Sequence, residues 1–351
     1  ADLFATEPGR GAPASINFVS CHDGFTLTDL TRYRSKHNEA NGENNNDGSS
    51  VNHSANFGVE GVTDDPDVIA AREQAAMNMI GMLLLSLGTP MMLAGDEFRN
   101  TQDGNNNAYC QDNDITWLKW DWMYSTNKTR EMRRLETVSR LVALRKSLDL
   151  YHHEDFFTRL TQLGLLKPSS RVQWFLPDGT TPMERDWFDL GVRSFTMRLL
   201  SNSEVDVCIV VNGTADDRTF RLPPDTHWTP KWCSAEINGR RAGHGTQVEE
   251  CDLNGDTTVW TQHVPDASET VLKMVKEVAM QRTESSTENE ADTIKFAMPV
   301  TDHAANGTSS APRDEVSADM PDAPVDDTPD TPVDDNVWTM PALSITLMKQ
   351  V

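Results

Sequence analysis

The sequence predicts an α/β region over residues 1–150, followed by an all-β domain. Two observations predict this division. Residues 16–150 read as strand, loop, helix, strand, loop, helix, which is the order of parallel strand-helix units. Residues 171–263 instead carry short strands separated by turn residues, which is typical of an antiparallel β domain. We assign 151–170 to a connector and 171–299 to the β domain.

The first predicted strand is short and apolar. Ile16, Phe18 and Val19 form its apolar run, and we expect them to be buried. His22 and Asp23 follow at the C-terminal end, which is where α/β barrels place their active-site residues. Both residues are therefore candidates for substrate contact, with a hydrogen-bonded corner as the alternative.

Two long helices are predicted in the first region. Asp65 is the expected N-cap of a helix that begins at Pro66 and runs to Leu87. Apolar residues cover nearly its whole circumference, so we expect it to be mostly buried. The second strand is predicted over 91–94, and the second helix from Thr129 to Leu150. The apolar face of that helix should consist of Leu135, Val138, Leu141, Val142 and Leu148, with Arg and Glu side chains opposite.

The chain changes character near its C-terminal end. Residues 300–336 hold ten acidic residues, one arginine, five prolines and no aromatic residue. Such a segment cannot bury enough apolar surface to offset its ordering entropy, so we expect an acidic disordered insertion there. Residues 337–351 return to an apolar pattern and are predicted as the last strand of the β domain. A helix is also predicted over 266–282.

Composition limits the classes of function. A formal net charge of -23 argues against nucleic acid or an anionic membrane as a partner, whereas a neutral polysaccharide is compatible. No apolar run approaches the length that spans a bilayer. The five cysteines show no paired spacing, so neither a disulfide framework nor a zinc site is indicated. We expect a cytoplasmic protein with reduced thiols, without a metal or cofactor.

Three polar stretches carry a family resemblance: INFVSCHDGF over 16–25, KHNEANGENNNDG over 36–48, and GTPMMLAGDEFRNTQDGNNNAYCQDN over 88–113. In order, spacing and residue type they resemble the isoamylase-type glycogen-debranching branch of the α-amylase glycoside hydrolase family. The resemblance implies that the first region forms the last two strand-helix units, seven and eight, of a (β/α)8 TIM barrel. It also implies that the C-terminal domain is an antiparallel β-sandwich.

The resemblance implies roles for two residues. Asp23 corresponds to the third active-site carboxylate, which stabilises the charged transition state, and His22 to the residue that hydrogen-bonds the sugar at the cleavage point. The family's Asp nucleophile and Glu general acid would precede Ala1, and retaining cleavage needs such a pair about 5 Å apart. We therefore expect a C-terminal fragment that is inactive alone.

The resemblance also implies a substrate and leaves one alternative. The parent enzyme would hydrolyse α-1,6 branch linkages of glycogen or limit dextrin by a retaining mechanism. Alternatively, the chain is a non-catalytic glucan-binding module, or one half of a split enzyme that joins the missing N-terminal barrel portion.

The polar loops have two interpretations. As a sugar cleft, Asn105 would supply hydrogen bonds, and aromatic residues would supply platforms for sugar faces. A core position is the alternative for each aromatic residue. A calcium loop fits less well, since Ala108 stands where its template requires Gly. The platform candidates are Phe25, Tyr109, Trp117, Trp120 and Trp122, and the calcium candidates are Asp103, Asn105, Asn107 and Asp114.

Three further expectations can be checked. Cys21 should be buried, because neighbours along a strand point to opposite faces. Asn46, Ser54, Ala55 and Phe57 depart from the family pattern, which leaves branch specificity in doubt. Two strand-helix units cannot close a barrel, so the first region should expose apolar faces that the β domain does not.

Overall fold

The computed structural model describes residues 11–151, 172–200, 206–224, 227–244, 249–250, 336–342 and 344–350. All of these residues belong to one compact unit, formed by 1–271 with 333–351. The predicted helix over 266–282, most of the connector and nearly all of the acidic segment lie outside the described residues.

The first region is built around a short pair of parallel strands. Strand β1 is Ile16–Asn17 and strand β2 is Thr89–Pro90. Ile16 lies opposite Thr89, so the predicted parallel order is confirmed. The predicted placement of the second strand over 91–94 is wrong. A turn closed by the hydrogen bond from Asp96 N to Leu93 O takes the place of strand pairing there.

Three helices accompany these strands: α1 (Leu27–Leu30), α2 (Pro66–Leu85) and α3 (Arg130–Ser147). The predicted N-cap Asp65 is confirmed, since its carboxylate accepts from the backbone of Asp67 and Val68. Thr129, the predicted start of the second long helix, is its N-cap, and the Thr129 hydroxyl accepts from Met132 N. Both long helices end two or three residues before their predicted ends. At the C-terminus of α2, the Arg145 guanidinium donates to the carbonyls of residues 84, 86 and 88 and so satisfies groups that helix ends leave open.

Burial in the first region differs from the prediction. Ile16 is 61% exposed and Phe18 is 54% exposed, so the expected buried strand is wrong. Nothing in the described residues covers this face of β1. Met82, on the side of α2 that faces it, is 48% exposed. Together these residues border an open apolar groove of about 570 Å³ between β1 and α2.

Helix α2 is long and strongly apolar. In the part of the chain that the structure describes, it alone has the length and hydropathy needed to cross a membrane. About half of its apolar stretch is buried inside the protein. The residues of α2 in the main core are Ala76, Met77, Ile80, Leu84 and Leu85. The expectation that no apolar segment reaches this length is therefore wrong, and the helix is accounted for as a core helix.

The predicted antiparallel β domain is confirmed. Its strands are β3 (Val172–Phe175), β4 (Ser194–Leu199), β5 (Val207–Asn212), β6 (Arg218–Arg221), β7 (Trp228–Cys233), β8 (Arg240–Arg241), β9 (Gly243–His244), β10 (Glu249–Glu250), β11 (Val337–Met340) and β12 (Ser344–Gln350). A five-stranded sheet has the order β3-β4-β5-β12-β7, a three-stranded sheet has the order β6-β11-β9, and β8 pairs with β10. All of these pairings are antiparallel.

The C-terminal segment forms two strands in two different sheets, so the prediction of a single last strand is wrong. Strand β11 joins the three-stranded sheet, and β12 lies between β5 and β7 in the other. Pro341 separates them and cannot donate to a ladder. The Asn212 side-chain amide donates to the carbonyls of Met340 and Pro341 and holds this crossing in place.

The five-stranded sheet is covered on both faces. Alternate residues of β5 point to opposite sides, as the pleat requires. Cys208 and Val210 join Phe220 and Trp338 of the smaller sheet, which makes a sandwich, and Ile209 joins the core that contains α2 and α3. The domain also exposes Met183, Trp187, Phe188 and Leu190, so the expectation that exposed apolar patches are confined to the first region is wrong.

Candidate active-site loop

The loop after β1 presents the predicted His-Asp pair to solvent. The side chains of His22 and Asp23 are 86% and 80% exposed, and His22 Nε2 lies 3.5 Å from Asp23 Oδ2. Cys21 is half-buried, and its Sγ donates to the Asp23 carbonyl at 3.2 Å. The prediction that Cys21 is buried is wrong because β1 ends at Asn17, so strand alternation does not extend to Cys21.

Asp96, which follows β2, anchors both ends of this loop. One carboxylate oxygen accepts from the Ser20 hydroxyl, and the other accepts from Leu27 N at 2.9 Å. Asp96 is 2% exposed, and this burial raises its pKa to about 6, although the two hydrogen bonds oppose the shift. Asp96 was not predicted from the sequence as a site residue. Its position after a strand, like that of His22, could have indicated it.

The apex of the loop is held by a second contact. Gly24 has φ +120°, a conformation that L side chains rarely adopt, and its N–H donates to Asn106 O at 3.0 Å. Because Asp96 fixes the ends and Asn106 fixes the apex, the exposed His22 and Asp23 stand on an anchored backbone.

The asparagine-rich loops bond mainly to each other. Asn38 and Asn106 exchange two hydrogen bonds, of 2.9 Å between their side chains and 3.0 Å from Asn106 N. Asn41 bonds Asp47 at 2.7 Å and Asn107 O at 2.9 Å. Lys36 Nζ donates to the carbonyls of residues 46–48, including Asp47 O at 2.7 Å. These amides serve first to join residues 36–52 to residues 101–111.

The predicted substrate contacts fall into different environments. Phe25 is 3% exposed and packs near Tyr33, so it occupies the core rather than a sugar platform. Asn105 is 2% exposed, and its side chain bonds Asn41 and Asn107 N, so it is not presented for sugar binding. Tyr109 is 77% exposed and remains available as a platform.

The tryptophan candidates divide in the same way. Trp117 is 55% exposed, and its indole N–H donates to Asp112 at 3.0 Å. Trp120 and Trp122 stack near the buried Phe98, with centroid distances of 4.8 and 5.4 Å. Only Trp117 of these three is mainly solvent-exposed.

Below the loop lies a buried ion cluster that the sequence analysis also missed. The Arg side chains of α3 were expected opposite its apolar face, but Arg134 is fully buried and pairs with Glu73 of α2 at 2.8 Å. Arg99 approaches Glu73 at 3.3 Å. Burial works to raise the pKa of Glu73, but the two arginines outweigh it and hold that pKa below its ordinary value. Within the described ranges, no group of three or more His, Cys, Asp or Glu side chains is arranged to hold a metal ion.

Comparison with known proteins gives relatives of one kind. No family model matches the chain. The glycogen operon protein GlgX homolog of Mycobacterium tuberculosis (strain ATCC 25618 / H37Rv) is 44% identical over 200 residues, which are 55% of this chain and 26% of the relative. The Haemophilus influenzae homolog is 39% identical over 236 residues, 66% of this chain and 32% of the relative. The chain is a member of the GlgX-type glycogen debranching family.

A third relative matches a shorter stretch of the chain at higher identity. The glycogen debranching enzyme of Enterobacter sp. (strain 638) is 52% identical over 120 residues, which are 34% of this chain and 18% of that protein. The chain therefore spans about a third or less of the length of the curated GlgX-type relatives it matches.

Solved structures of pullulanases also match. A pullulanase of Anoxybacillus sp. LM18-11 complexed with maltotetraose gives a TM-score of 0.41 at 18% identity, over 68% of this chain and 26% of that one. The catalytic module of the pneumococcal virulence factor SpuA gives a TM-score of 0.44 at 12% identity, over 100% of this chain and 38% of that one. Neither score is high enough to carry an inference about this chain.

Proposed function

We propose that this chain supplies part of the active site of a glycogen debranching enzyme that hydrolyses α-1,6 branch linkages. The observation that carries the proposal is the anchored loop with two exposed polar side chains, His22 and Asp23, in a chain of the GlgX-type family. The rest of the catalytic apparatus would come from sequence that the longer relatives contain. The cytoplasmic location stays a prediction.

In this proposal Asp23 acts through its charge. The carboxylate is 80% exposed, so it can approach a sugar ring that carries developing positive charge at the cleaved carbon. His22, 3.5 Å away, donates to a hydroxyl of the same sugar. Tyr109 and Trp117, both exposed, are the remaining aromatic candidates for sugar contact. The mechanism would be retaining, with a nucleophile and general acid outside this chain.

The open groove supports the proposal that the first region is an incomplete barrel, formed by units seven and eight. Parallel strands normally have both faces covered by helices, whereas β1 exposes Ile16 and Phe18. The same groove favours a second candidate function, one half of a split enzyme whose other half covers this surface.

The decisive experiment joins this chain to the N-terminal portion of the Haemophilus influenzae relative and measures reducing ends released from limit dextrin. The joined protein should be active and the chain alone inactive. Asp23→Asn should lower kcat by orders of magnitude with little change in KM, because its charge acts in the transition state. His22→Ala should raise KM as well.

Asp114→Asn serves as the matched control, because Asp114 is an exposed carboxylate in the neighbouring polar loop. It should leave both constants close to those of the parent. Small and equal effects of the Asp23 and His22 substitutions would remove both residues from the active site. Activity restored by mixing two separate polypeptides would favour the split enzyme.

A further inference from the structure

Asn106 connects three loops. Its carbonyl accepts from Gly24 N at 3.0 Å, its N–H donates to Asn38 Oδ1 at 3.0 Å, and its Oδ1 accepts from Asn38 Nδ2 at 2.9 Å. Its Nδ2 donates to Ser49 O at 2.8 Å and to Asn52 Oδ1 at 2.6 Å. Asn106 is 3% exposed and Asn38 is fully buried. The side chain of Asn106 therefore uses both its donor and its acceptor atoms inside the protein.

The space around this pair is filled. A Cβ atom at Gly48 would lie 2.3 Å from Asn106 Oδ1 and 2.7 Å from Asn38 Nδ2. Gly48 also has φ +72°, so a side chain there would be strained as well as obstructed. The two amides consequently have little freedom to shift. A buried and fully bonded polar network of this kind rigidifies the backbone segments that it joins.

The contact with Gly24 links this rigid pair to the candidate active site, because Gly24 directly follows Asp23. We propose that Asn106, held by Asn38, is a positioning residue that fixes the backbone from which Asp23 and His22 project. The proposal rests on the proposed function for its catalytic meaning. Its structural part does not, since it concerns only the link between the amide pair and the loop.

The amide is the side chain that this position requires. An Asp at 106 would keep an acceptor for Asn38 Nδ2 but lose the donations to Ser49 and Asn52. An Ala would also leave Asn38 Nδ2 with one buried partner fewer. An Asp would also turn an acceptor oxygen towards the acceptors Ser49 O and Asn52 Oδ1. We therefore expect both Asp and Ala at position 106 to hold the loop less well than Asn.

The first test measures amide hydrogen exchange at Gly24 in the 351-residue chain by NMR. Asn106→Ala and Asn106→Asp should each speed exchange at Gly24 by about tenfold or more, because the loop opens locally. Asn41→Ala is the matched control. It breaks the bonds to Asp47 and Asn107 in the same pair of loops without touching Asn106, so Gly24 should exchange as in the parent.

A second variant covers the case in which Asn106→Ala does not fold. Asn38→Asp keeps the acceptor for Asn106 N–H and loses both side-chain donations, and it should also speed exchange at Gly24. Unchanged exchange in the position 106 and 38 variants would overturn the proposal. So would equal acceleration in Asn41→Ala, since that would show general loosening.

The catalytic meaning is tested in the joined protein. Asn106→Asp should lower kcat about tenfold to a hundredfold with a smaller change in KM, because a displaced group loses more in the transition state than in binding. Faster exchange at Gly24 with unchanged kcat would overturn the positioning role. An inactive parent, or an Asp23→Asn variant with full activity, would instead reject the proposed function and leave the exchange result intact.

Discussion

The two regions of this molecule have different interiors. The sandwich core of the β domain is made of apolar residues such as Val210, Phe220 and Trp338. The first region buries charged and amide side chains, among them Glu73, Arg134 and Asn106. An apolar core tolerates changes of pH and small shifts of register, whereas a buried polar network depends on every partner. The stability of the first region is therefore the more sensitive to pH and to the loss of any one buried partner.

The largest expected effect comes from the buried ion pair. Glu73→Gln leaves the guanidinium of Arg134, 1% exposed, without its counter-charge and should lower the free energy of unfolding by about 3–5 kcal/mol. Urea unfolding with hydrogen exchange should locate the loss first in α2 and α3. In the exposed pair Lys128–Glu136, Glu136→Gln should cost less than about 1 kcal/mol. Similar losses in both variants would show that burial does not distinguish the pairs.

A smaller effect tests how the two regions are joined. A Cβ atom at Gly81 of α2 would lie 2.7 Å from the Trp232 ring of β7, so Gly81→Ala should destabilise the protein by about 1–3 kcal/mol. In a helix without this contact the same substitution would stabilise by up to about 1 kcal/mol, so the sign is diagnostic. Trp232→Phe should relieve part of the clash, which a double-mutant cycle on thermal unfolding would measure. If Gly81→Ala stabilised the protein, α2 and β7 would be less closely packed than the 2.7 Å distance implies.

The pH dependence of stability should come from the first region. The raised pKa of Asp96, about 6, means that the folded state keeps its proton while the unfolded state loses it near the ordinary value of 3.8. Its contribution therefore falls as pH rises from about 4 to 6 and is constant above that range. In Asp96→Asn the free energy of unfolding should depend less on pH between about 4 and 6.

Glu60 gives the opposite slope at lower pH. Burial works to raise its pKa, but hydrogen bonds from Arg34 N, Asn56 and Ser35 N outweigh it and lower the pKa to about 2. Its contribution is complete above about 4.5 and is lost as pH falls towards 2. In the β domain, burial raises the pKa of the Cys233 thiol to about 12, outside this range. The same slope between pH 4 and 6 in Asp96→Asn as in the parent protein would contradict the assignment to Asp96, since only the buried Asp29, whose pKa is also raised, should leave a residual slope.

The smallest effect on stability concerns the exposed apolar residues of the two regions. Phe18 lines the groove with Ile16 and Met82, whereas Phe188 stands on a loop of the β domain. Phe18→Ser should therefore reduce the fluorescence of a bound hydrophobic dye more than Phe188→Ser, with unfolding midpoints close to the parent value. A larger reduction with Phe188→Ser would place the main dye site on the β domain.

Local chemistry was predictable, and tertiary partners were not. Asp65 was identified as an N-cap because a cap depends on residues two or three positions away. The position of His22 and Asp23 after a strand was read in the same way. The burial of Arg134 was not predicted because its partner Glu73 lies 61 residues away. Asn105 was predicted to bind sugar because the sequence alone does not show its hydrogen-bond partners in other loops.

The position of β12 has a consequence for the order in which the chain can fold during synthesis. Strands β5 and β7 are synthesised well before β12, the strand that lies between them. Asn212, for example, bonds the carbonyl of Met340, 128 residues later. Until then the facing edges of β5 and β7 have no native partner and can pair with another chain. The β domain, though the more robust region once complete, should be the slower to form and the one that most needs protection from aggregation while the ribosome is still at work.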